Sequence, residues 1–288
     1  MAWIPYSFAM FSFSVFQYLL VRRIQKAEVS NKIINLMFFL PALPFLLVFI
    51  IVNHIILALG IREIALLAVM TFFFSFLGNK YSFLGIKTAP NPGYSLIIQK
   101  SYAIYTAFVA IWLFNAELTA QAFLAILMII LFSASLMIDQ SNIKKVKSTK
   151  WVIYSLLAFF LFGNLVLSSK YLQNAGVNPW AIVFYIFSMV SILFGIDLYR
   201  DRKKINLSIK KSVFWLLPLI GISNGFFNVT MQLAYKSAPN IGYVNIINAS
   251  SITVITVLSM VFFKDKLNVE KIIGILGVTL GLILLIIL

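Results

Sequence analysis

The sequence predicts an all-α membrane protein with ten transmembrane helices, arranged as two five-helix repeats of inverted orientation. Three observations lead to this fold class. Of the 288 residues, 62% are apolar and 11% are charged, and the mean hydropathy is +1.00. Apolar runs of about 20 residues, the length that crosses a bilayer, recur along the chain. A six-residue motif also occurs once in each half of the sequence.

The composition excludes several classes of protein. Soluble domains are about 45–50% apolar, so this chain could not cover its surface with polar groups. The formal charge of +15 comes from short Lys and Arg clusters between apolar runs, a pattern that argues against a nucleic-acid partner. With no Cys and one His, the sequence offers no disulfide or metal cluster. We therefore expect a lipid bilayer as the environment, and no cofactor.

The spans are joined by short connections, which leave no room for a domain outside the membrane. The first apolar run follows an N-terminus without basic residues, which favours a spanning helix over a cleaved signal peptide. Pro41, Pro44 and Pro218 lie inside spans, where packed membrane helices tolerate proline. The predicted spans are residues 3–22, 33–52, 62–87, 91–114, 119–138, 150–172, 179–198, 212–237, 241–263 and 268–288.

The distribution of positive charge predicts the orientation. Of the 23 Lys and Arg residues, 19 fall in odd-numbered connections and three in even-numbered ones. Positive residues concentrate on the cytoplasmic side of membrane proteins. We therefore expect a multi-pass protein of the plasma or inner membrane, with both termini facing away from the cytoplasm.

An internal repeat divides the chain into residues 1–140 and 150–288. The motif at residues 89–94, Ala-Pro-Asn-Pro-Gly-Tyr, recurs 149 residues later as Ala-Pro-Asn-Ile-Gly-Tyr. Trp3 and Ser7 match Trp151 and Ser155 at an offset of 148. Because each unit has an odd number of helices, the second would enter the membrane from the opposite side. Such inverted repeats underlie alternating access in transporters; the alternative is a duplication kept only for packing.

Polar side chains inside the spans are costly in lipid, so we expect them to face the bundle interior. The repeat relates Asn79 to Asn228 and Gln99 to Asn248. Their alternative role is to hydrogen-bond neighbouring helices, at only about 0.6 kcal/mol per contact. The predicted substrate contacts are Lys100, Gln99, Asn79, Asn228, Asn248, Tyr102, Gln232, Asn245 and Tyr94, and further polar residues of the first and ninth spans are Ser14, Gln17, Tyr18 and Ser251.

Lys100 is the most specific of these candidates. It lies about 13 Å along the fourth span by the helical rise, near the membrane midplane. A lysine at that depth costs about 2.5–3.5 kcal/mol, and all eight carboxylates lie in connections or near helix ends. A cavity that binds a carboxylate or phosphate would explain the residue. The alternatives are a lysine that carries a coupling proton and one whose side chain extends to a water-filled vestibule.

The C-terminal part of the chain resembles the EamA-like members of the drug/metabolite transporter superfamily. The resemblance rests on the Ala238-Pro239 pair, a helix, the segment 262–267 (Phe-Phe-Lys-Asp-Lys-Leu) and a Gly-rich last helix. Residues 89–138 repeat this order more weakly. The acidic residue that precedes the last helix in the family is Asp265 here, and Glu117 stands near that place in the first copy.

The resemblance implies a secondary transporter whose central cavity is lined by helices 1–4 and 6–9. Relatives move amino acids, other small metabolites, nucleotide sugars or phosphorylated sugars. Many relatives keep both termini in the cytoplasm, which conflicts with the orientation from the charge count.

We therefore expect a secondary transporter, an exporter or exchanger, of small polar metabolites such as amino acids or other small organic anions. It would work by alternating access around a midplane site. The alternative is a flippase, or a flippase subunit, for a lipid-linked substrate. No enzyme is expected, because His, Asp and Glu form no cluster at one depth. Gly277 and Gly281 have a GxxxG spacing, which suits a homodimer or packing within a monomer.

Overall fold

The computed structural model describes residues 2–25, 27, 29–89, 92–137, 149–203, 209–263 and 269–287. Over these residues the regular structure is helical, with no strand. The first half contains α1 (Trp3–Gln25), α2 (Asn31–Phe39), α3 (Leu43–Val52), α4 (Ile61–Val69), α5 (Gly78–Thr88), α6 (Pro92–Lys100), α7 (Tyr102–Phe114) and α8 (Ala120–Met137). The second half contains α9 (Lys150–Asn174), α10 (Pro179–Asp201), α11 (Lys211–Phe214), α12 (Leu216–Ser237), α13 (Ile241–Phe263) and α14 (Val269–Ile286).

Seven helical runs of the described chain are long and apolar enough to cross a membrane. They are Trp3–Val21, Asn31–Val52, Ile61–Thr88, Tyr94–Phe114, Lys150–Asn174, Pro179–Asp201 and Val269–Ile286. The described part of the chain is therefore all-helical and consistent with a multi-pass membrane protein. The remaining predicted spans coincide with α8, α12 and α13, and the count of ten crossings stays a prediction.

Three of the predicted spans are interrupted where the sequence predicts continuous helices. The second span contains a 3₁₀ turn at Leu40–Ala42, where Pro41 lacks the N–H that an α-helix uses. The third contains a π-helix at Met70–Leu77. The fourth has a turn at Ser101, whose hydroxyl donates to the Ile97 carbonyl oxygen (2.8 Å). Lys100 therefore lies at the junction of two helical segments.

The helix ends agree with ordinary capping chemistry. The Asn178 side chain accepts a hydrogen bond from the Trp180 N–H (3.0 Å), and Pro179 occupies the first turn of α10. At the end of α7, Asn115 adopts a left-handed conformation with φ of 51°. Gly176 follows α9 with φ of 91°. These caps allow the chain to reverse direction within a few residues.

Glycines allow two pairs of helices to approach closely. A Cβ at Gly277 would lie 2.0 Å from the Phe132 ring, and one at Gly281 would lie 2.7 Å from Ile129. The GxxxG face of α14 therefore packs on α8 of the same chain. On α13, a Cβ at Gly242 would lie 2.3 Å from the Cβ of Ala107. This brings α13 against α7 and places its polar side chains beside the fourth span.

Two large apolar clusters hold the helices together. One combines small residues of α7 with Ile246 and Ile247 of α13 and the inner face of α8. The other surrounds Phe187 and Phe194 of α10, against which Phe39 packs with ring centroids at 5.0 and 5.8 Å. The polar groups described next lie on the helices that these clusters position.

Candidate functional site

The Lys100 ammonium lies among neutral acceptors where α6, α1 and α13 meet. Its Nζ donates to the Asn248 carbonyl oxygen (3.3 Å) and reaches the Asn248 Oδ1 and the Ser251 hydroxyl, both at 3.5 Å. The Tyr18 ring centroid lies 5.2 Å away. No carboxylate of the described residues forms an ion pair with Lys100, whereas Lys32 pairs with Asp197 (2.9 Å) and Asp201. The ammonium is thus solvated by dipoles and has no described counter-ion.

Ser14 joins α1 to the same group of residues, which we call the Lys100 cluster: Lys100, Ser14, Tyr18, Asn248 and Ser251. The Ser14 hydroxyl lies 3.1 Å from the Asn248 Oδ1 and 3.1 Å from the Ser251 hydroxyl. Both serines are fully buried. Gln17, one turn along α1 from Ser14, is buried with its Oε1 lacking a protein hydrogen-bond partner. The cluster therefore offers a partly buried ammonium beside the Gln17 Oε1, which can accept a further hydrogen bond.

Asn245 forms a second polar group, one helical turn from Asn248. Its Oδ1 accepts hydrogen bonds from the hydroxyls of Tyr235 (2.5 Å) and Tyr102 (3.5 Å). Its amide nitrogen donates to the Thr106 hydroxyl (2.8 Å). Every member is buried. Two predicted contacts, Tyr102 and Asn245, thus lie together and next to the Lys100 cluster.

Gln99 takes part in a different network, although it precedes Lys100 directly. Its Oε1 accepts from the Ser82 hydroxyl (2.6 Å), and its Nε2 donates to the Ser95 hydroxyl (2.8 Å). Ser95 in turn lies 2.7 Å from the Ser155 hydroxyl. Successive helical residues point about 100° apart, so Gln99 faces α5 and α9 while Lys100 faces α13. Tyr94 packs near this network, with its ring centroid 6.2 Å from that of Trp151.

The remaining predicted contacts lie in separate places. The Asn79 amide donates to the Ser75 carbonyl oxygen of its own helical run (2.8 Å), and the Asn228 amide donates to the Asn224 carbonyl oxygen (2.9 Å). Gln232 accepts a bond from the Gln173 amide (2.6 Å). The structure thus brings Lys100 and Asn248 into contact, and Tyr102 and Asn245 next to them, but not all nine candidates into one site.

Several contacts recur at matching positions of the two halves. The rings of Trp3 and Tyr243 lie 6.1 Å apart, and those of Trp151 and Tyr94 lie 6.2 Å apart. The serine four residues after each tryptophan donates to that tryptophan's carbonyl oxygen, at 2.8 Å for Ser7 and 2.7 Å for Ser155. Each aromatic contact joins one half of the chain to the other.

No group of three or more His, Asp or Glu side chains in the described part of the chain could hold a metal ion. Two charged residues outside the predicted set, Lys170 and Glu117, line a recess. The charge count assigns Lys170 to a connection, but the residue lies on α9. Glu117 lies between α7 and α8. The sequence did offer one indication of Glu117, because the residue stands near the place of an acidic residue in the resembled family.

Comparison with known proteins identifies the family of the second half. Residues 149–287 match the EamA-like transporter family. The match covers just under half of the chain. The match confirms the resemblance to the drug/metabolite transporter superfamily, and it points to a transporter and not an enzyme.

The fold is also found in solved structures. One crystal structure of a protein aligns over 98% of this chain and 98% of its own chain, with a TM-score of 0.79 and 11% sequence identity. At that identity the likeness shows the fold alone. No curated protein matches the sequence. The match to the EamA-like family suggests a drug/metabolite transporter, and together with the apolar helices it supports a multi-pass membrane protein.

Proposed function

We propose that this protein is a secondary transporter, an exporter or exchanger, of small polar metabolites such as amino acids or other small organic anions. Lys100 would bind the anionic group of the substrate near the membrane midplane. Asn248, with Ser14 and Ser251, would supply neutral hydrogen-bonding groups around it. The protein would operate in the plasma or inner membrane.

The observation that carries this proposal is the solvation of Lys100 by neutral groups only. Carbonyl, amide and hydroxyl oxygens stabilise an ammonium, but they leave its net charge uncompensated. A lysine near the bilayer centre costs about 2.5–3.5 kcal/mol on insertion scales. A substrate carboxylate or phosphate that enters the cluster would offset that cost, which gives the residue a reason to be present.

The Lys100 cluster also contains residues of both halves, so a movement of one half against the other would change its contacts. Lys100 and Ser14 belong to the first half, whereas Asn248 and Ser251 belong to the second. Every polar contact of the ammonium therefore crosses from one half to the other. Rocking of the halves would break these contacts and open the site, and a bound anion would replace them.

The matching contacts of the two halves support an inverted repeat of ten helices as the scaffold for this movement. The Trp3–Tyr243 and Trp151–Tyr94 pairs exchange partners between halves, as a twofold axis in the membrane plane would require. Asn79 and Asn228, equivalent in the predicted repeat, each donate to the carbonyl oxygen four residues earlier. In such a scaffold each half can adopt the conformation of the other, which gives alternating access.

The test is transport by the purified protein in proteoliposomes. Radiolabelled amino acids, sugar phosphates and nucleotides would be screened for uptake and for exchange, with and without a pH gradient. We expect uptake of at least one anionic or zwitterionic solute, and a loss of at least tenfold in Lys100→Met. Lys87→Met, which removes an exposed lysine of α5, is the matched control and should transport normally.

Lys100→Met should fold at least as well as the unmodified protein, because it removes an uncompensated charge from the bilayer interior. A monodisperse, thermally stable variant that transports the solute at the unmodified rate would remove Lys100 from the mechanism. Lys100→Arg keeps the charge in a different shape and should retain part of the activity.

A further inference from the structure

A second polar recess lies at the end of the bundle where α7 and α9 end and α13 begins. It has a volume of about 350 Å³. Four polar side chains line it: Lys170 and Asn174 from α9, and Asn115 and Glu117 from the connection between α7 and α8. None of them belongs to the Lys100 cluster. The recess is therefore a separate place where a small polar molecule could be held.

One wall of the recess is positive. The partly buried Lys170 donates from Nζ to the Tyr235 carbonyl oxygen (2.6 Å) and reaches that of Lys236 (3.5 Å). An ammonium has three donors, so a hydrogen remains for a ligand. Asn174 lies one helical turn further along the same face of α9. Ile241, the first residue of α13, also lines the recess, and the N-terminus of a helix favours an anion.

Glu117 also lines the recess, and the repeated motif holds its backbone in place. The Glu117 carbonyl oxygen accepts hydrogen bonds from the Asn240 amide (3.3 Å) and the Tyr243 hydroxyl (3.0 Å). Glu117 also lines an adjoining recess of about 350 Å³, together with Trp3 and Tyr243. Glu117 thus lines both recesses, with its backbone held and its side chain exposed.

Both charged residues line the same recess, and they form no ion pair with each other. Lys170 and Glu117 are both described, and their charged atoms do not approach within the 4.0 Å of an ion pair. Separated opposite charges across a small cavity are complementary to a ligand that carries both charges. We propose that this recess binds a zwitterion of amino-acid size, with its carboxylate on Lys170 and Asn174 and its ammonium on Glu117.

This site does not depend on transport, and binding can be measured on the purified protein. The sequence contains no Cys, so a single thiol can be placed beside the recess. Ala116→Cys adds one in its wall. Tyr171→Cys adds one on the exposed side of α9 as the matched control, since Tyr171 is 61% exposed and does not line the recess.

Three probes of similar shape separate the charges: L-leucine, 3-methylbutylamine, which lacks the carboxylate, and 4-methylpentanoate, which lacks the ammonium. We expect L-leucine to slow maleimide labelling of Ala116→Cys at least fivefold. The two single-charge probes should slow it less than twofold, and none should affect Tyr171→Cys. Equal protection by a single-charge probe, or no protection by L-leucine, would overturn the proposal.

Charge-removing variants in the Ala116→Cys background locate the ligand. Glu117→Gln should abolish protection without affecting folding, because the carboxylate is exposed and the backbone carbonyl holds the connection. Lys170→Gln should also abolish protection, and Lys170→Arg should retain part of it. Lys236→Gln, which changes an exposed neighbouring lysine, should leave protection unchanged. Protection that survives Glu117→Gln but is lost in Lys100→Met would place the ligand at the Lys100 cluster. That result would refute this site and leave the proposed function standing.

Discussion

Two polar clusters at equivalent positions of the predicted repeat differ in charge. Gln99 and Asn248 are 149 residues apart. The Gln99 amide is bonded by Ser82 and Ser95 at 2.6 and 2.8 Å, so its network is neutral. The Asn248 Oδ1 accepts from Ser14 at 3.1 Å and lies 3.5 Å from the Lys100 ammonium, which also donates to the Asn248 backbone carbonyl oxygen at 3.3 Å.

The difference shows that a duplicated scaffold can carry unequal chemistry. The position equivalent to Lys100 in the second half is Ala249, which is buried. One amide therefore serves helix packing, and its counterpart lies beside a charge that faces the other half. We expect substitutions at the Gln99 network to change stability and substitutions at the Lys100 cluster to change transport.

The largest effect should come from adding a carboxylate to each cluster. In Ser251→Asp the new carboxylate lies beside Lys100, pairs with it and excludes the substrate anion. Proteoliposome uptake should fall by about 100-fold in a folded protein. In Ser95→Asp the carboxylate has no cationic partner among the described contacts of Ser95. It should destabilise the protein by about 3–5 kcal/mol, measured as a lower Tm in detergent.

Equal loss of stability in both aspartate variants would contradict the distinction between the clusters. Normal uptake by Ser251→Asp would also contradict it.

A smaller effect separates the two amides. Asn248→Leu removes the side-chain acceptor that positions Lys100, and we expect the KM for the transported anion to rise about tenfold. Gln99→Leu removes the acceptor of the partly buried Ser82 hydroxyl and one of the two side-chain contacts of Ser95, at a cost of about 1–3 kcal/mol. Its uptake per folded molecule should stay unchanged. Uptake kinetics and thermal unfolding of both variants provide the measurement, and a KM shift in Gln99→Leu would link its network to the substrate.

The reciprocal aromatic contacts test whether the two halves are symmetric in energy. Double-mutant cycles on Trp3 with Tyr243 and on Trp151 with Tyr94, each residue changed to Leu, should give similar coupling energies. Each should be about 0.5–1.5 kcal/mol, the range for aromatic pairs. A coupling in one pair and none in the other would weaken the case for a repeat at this contact.

The smallest effect is expected for a single hydroxyl. Ser14→Ala removes one of two donors to Asn248 and Ser251 and should lower uptake two- to fivefold, because a neutral hydrogen bond contributes about 1 kcal/mol. Ser12→Ala removes a hydroxyl that bonds only the Phe8 carbonyl oxygen of its own helix. Uptake assays should show no change in this control. An equal loss of uptake in Ser14→Ala and Ser12→Ala would mean that the Ser14 hydroxyl has no specific role in the Lys100 cluster.

Much of the fold could be predicted from hydropathy alone. The first predicted span, residues 3–22, corresponds to α1 at Trp3–Gln25, and the seventh, 179–198, to α10 at Pro179–Asp201. The breaks inside spans were not predicted. Pro41 supplied a signal for the 3₁₀ turn, but the π-helix at Met70–Leu77 depends on tertiary packing that hydropathy does not report.

The site could be predicted only in part. The depth of Lys100 and the lack of a nearby carboxylate follow from its position in an apolar run. The hydrogen-bond partner of each amide does not follow from the sequence. Gln99 and Lys100 point about 100° apart on their helix, and the sequence does not say which neighbouring helix each side chain contacts. Glu117 and Lys170 were missed for a related reason: the α7–α8 connection and α9 are distant in sequence, and only the fold brings the two residues to one recess.

The contact of Gly277 with Phe132 has a consequence for how the protein could move. With the aromatic ring seated directly on the backbone of α14, sliding that helix along α8 would drive the ring into main-chain atoms. We therefore expect α8 and α14 to move together as one rigid body. Spin labels placed on α8 and α14 should keep a constant separation in every state of a transport cycle. This helix pair can then serve as the reference for measuring the displacement of the other helices.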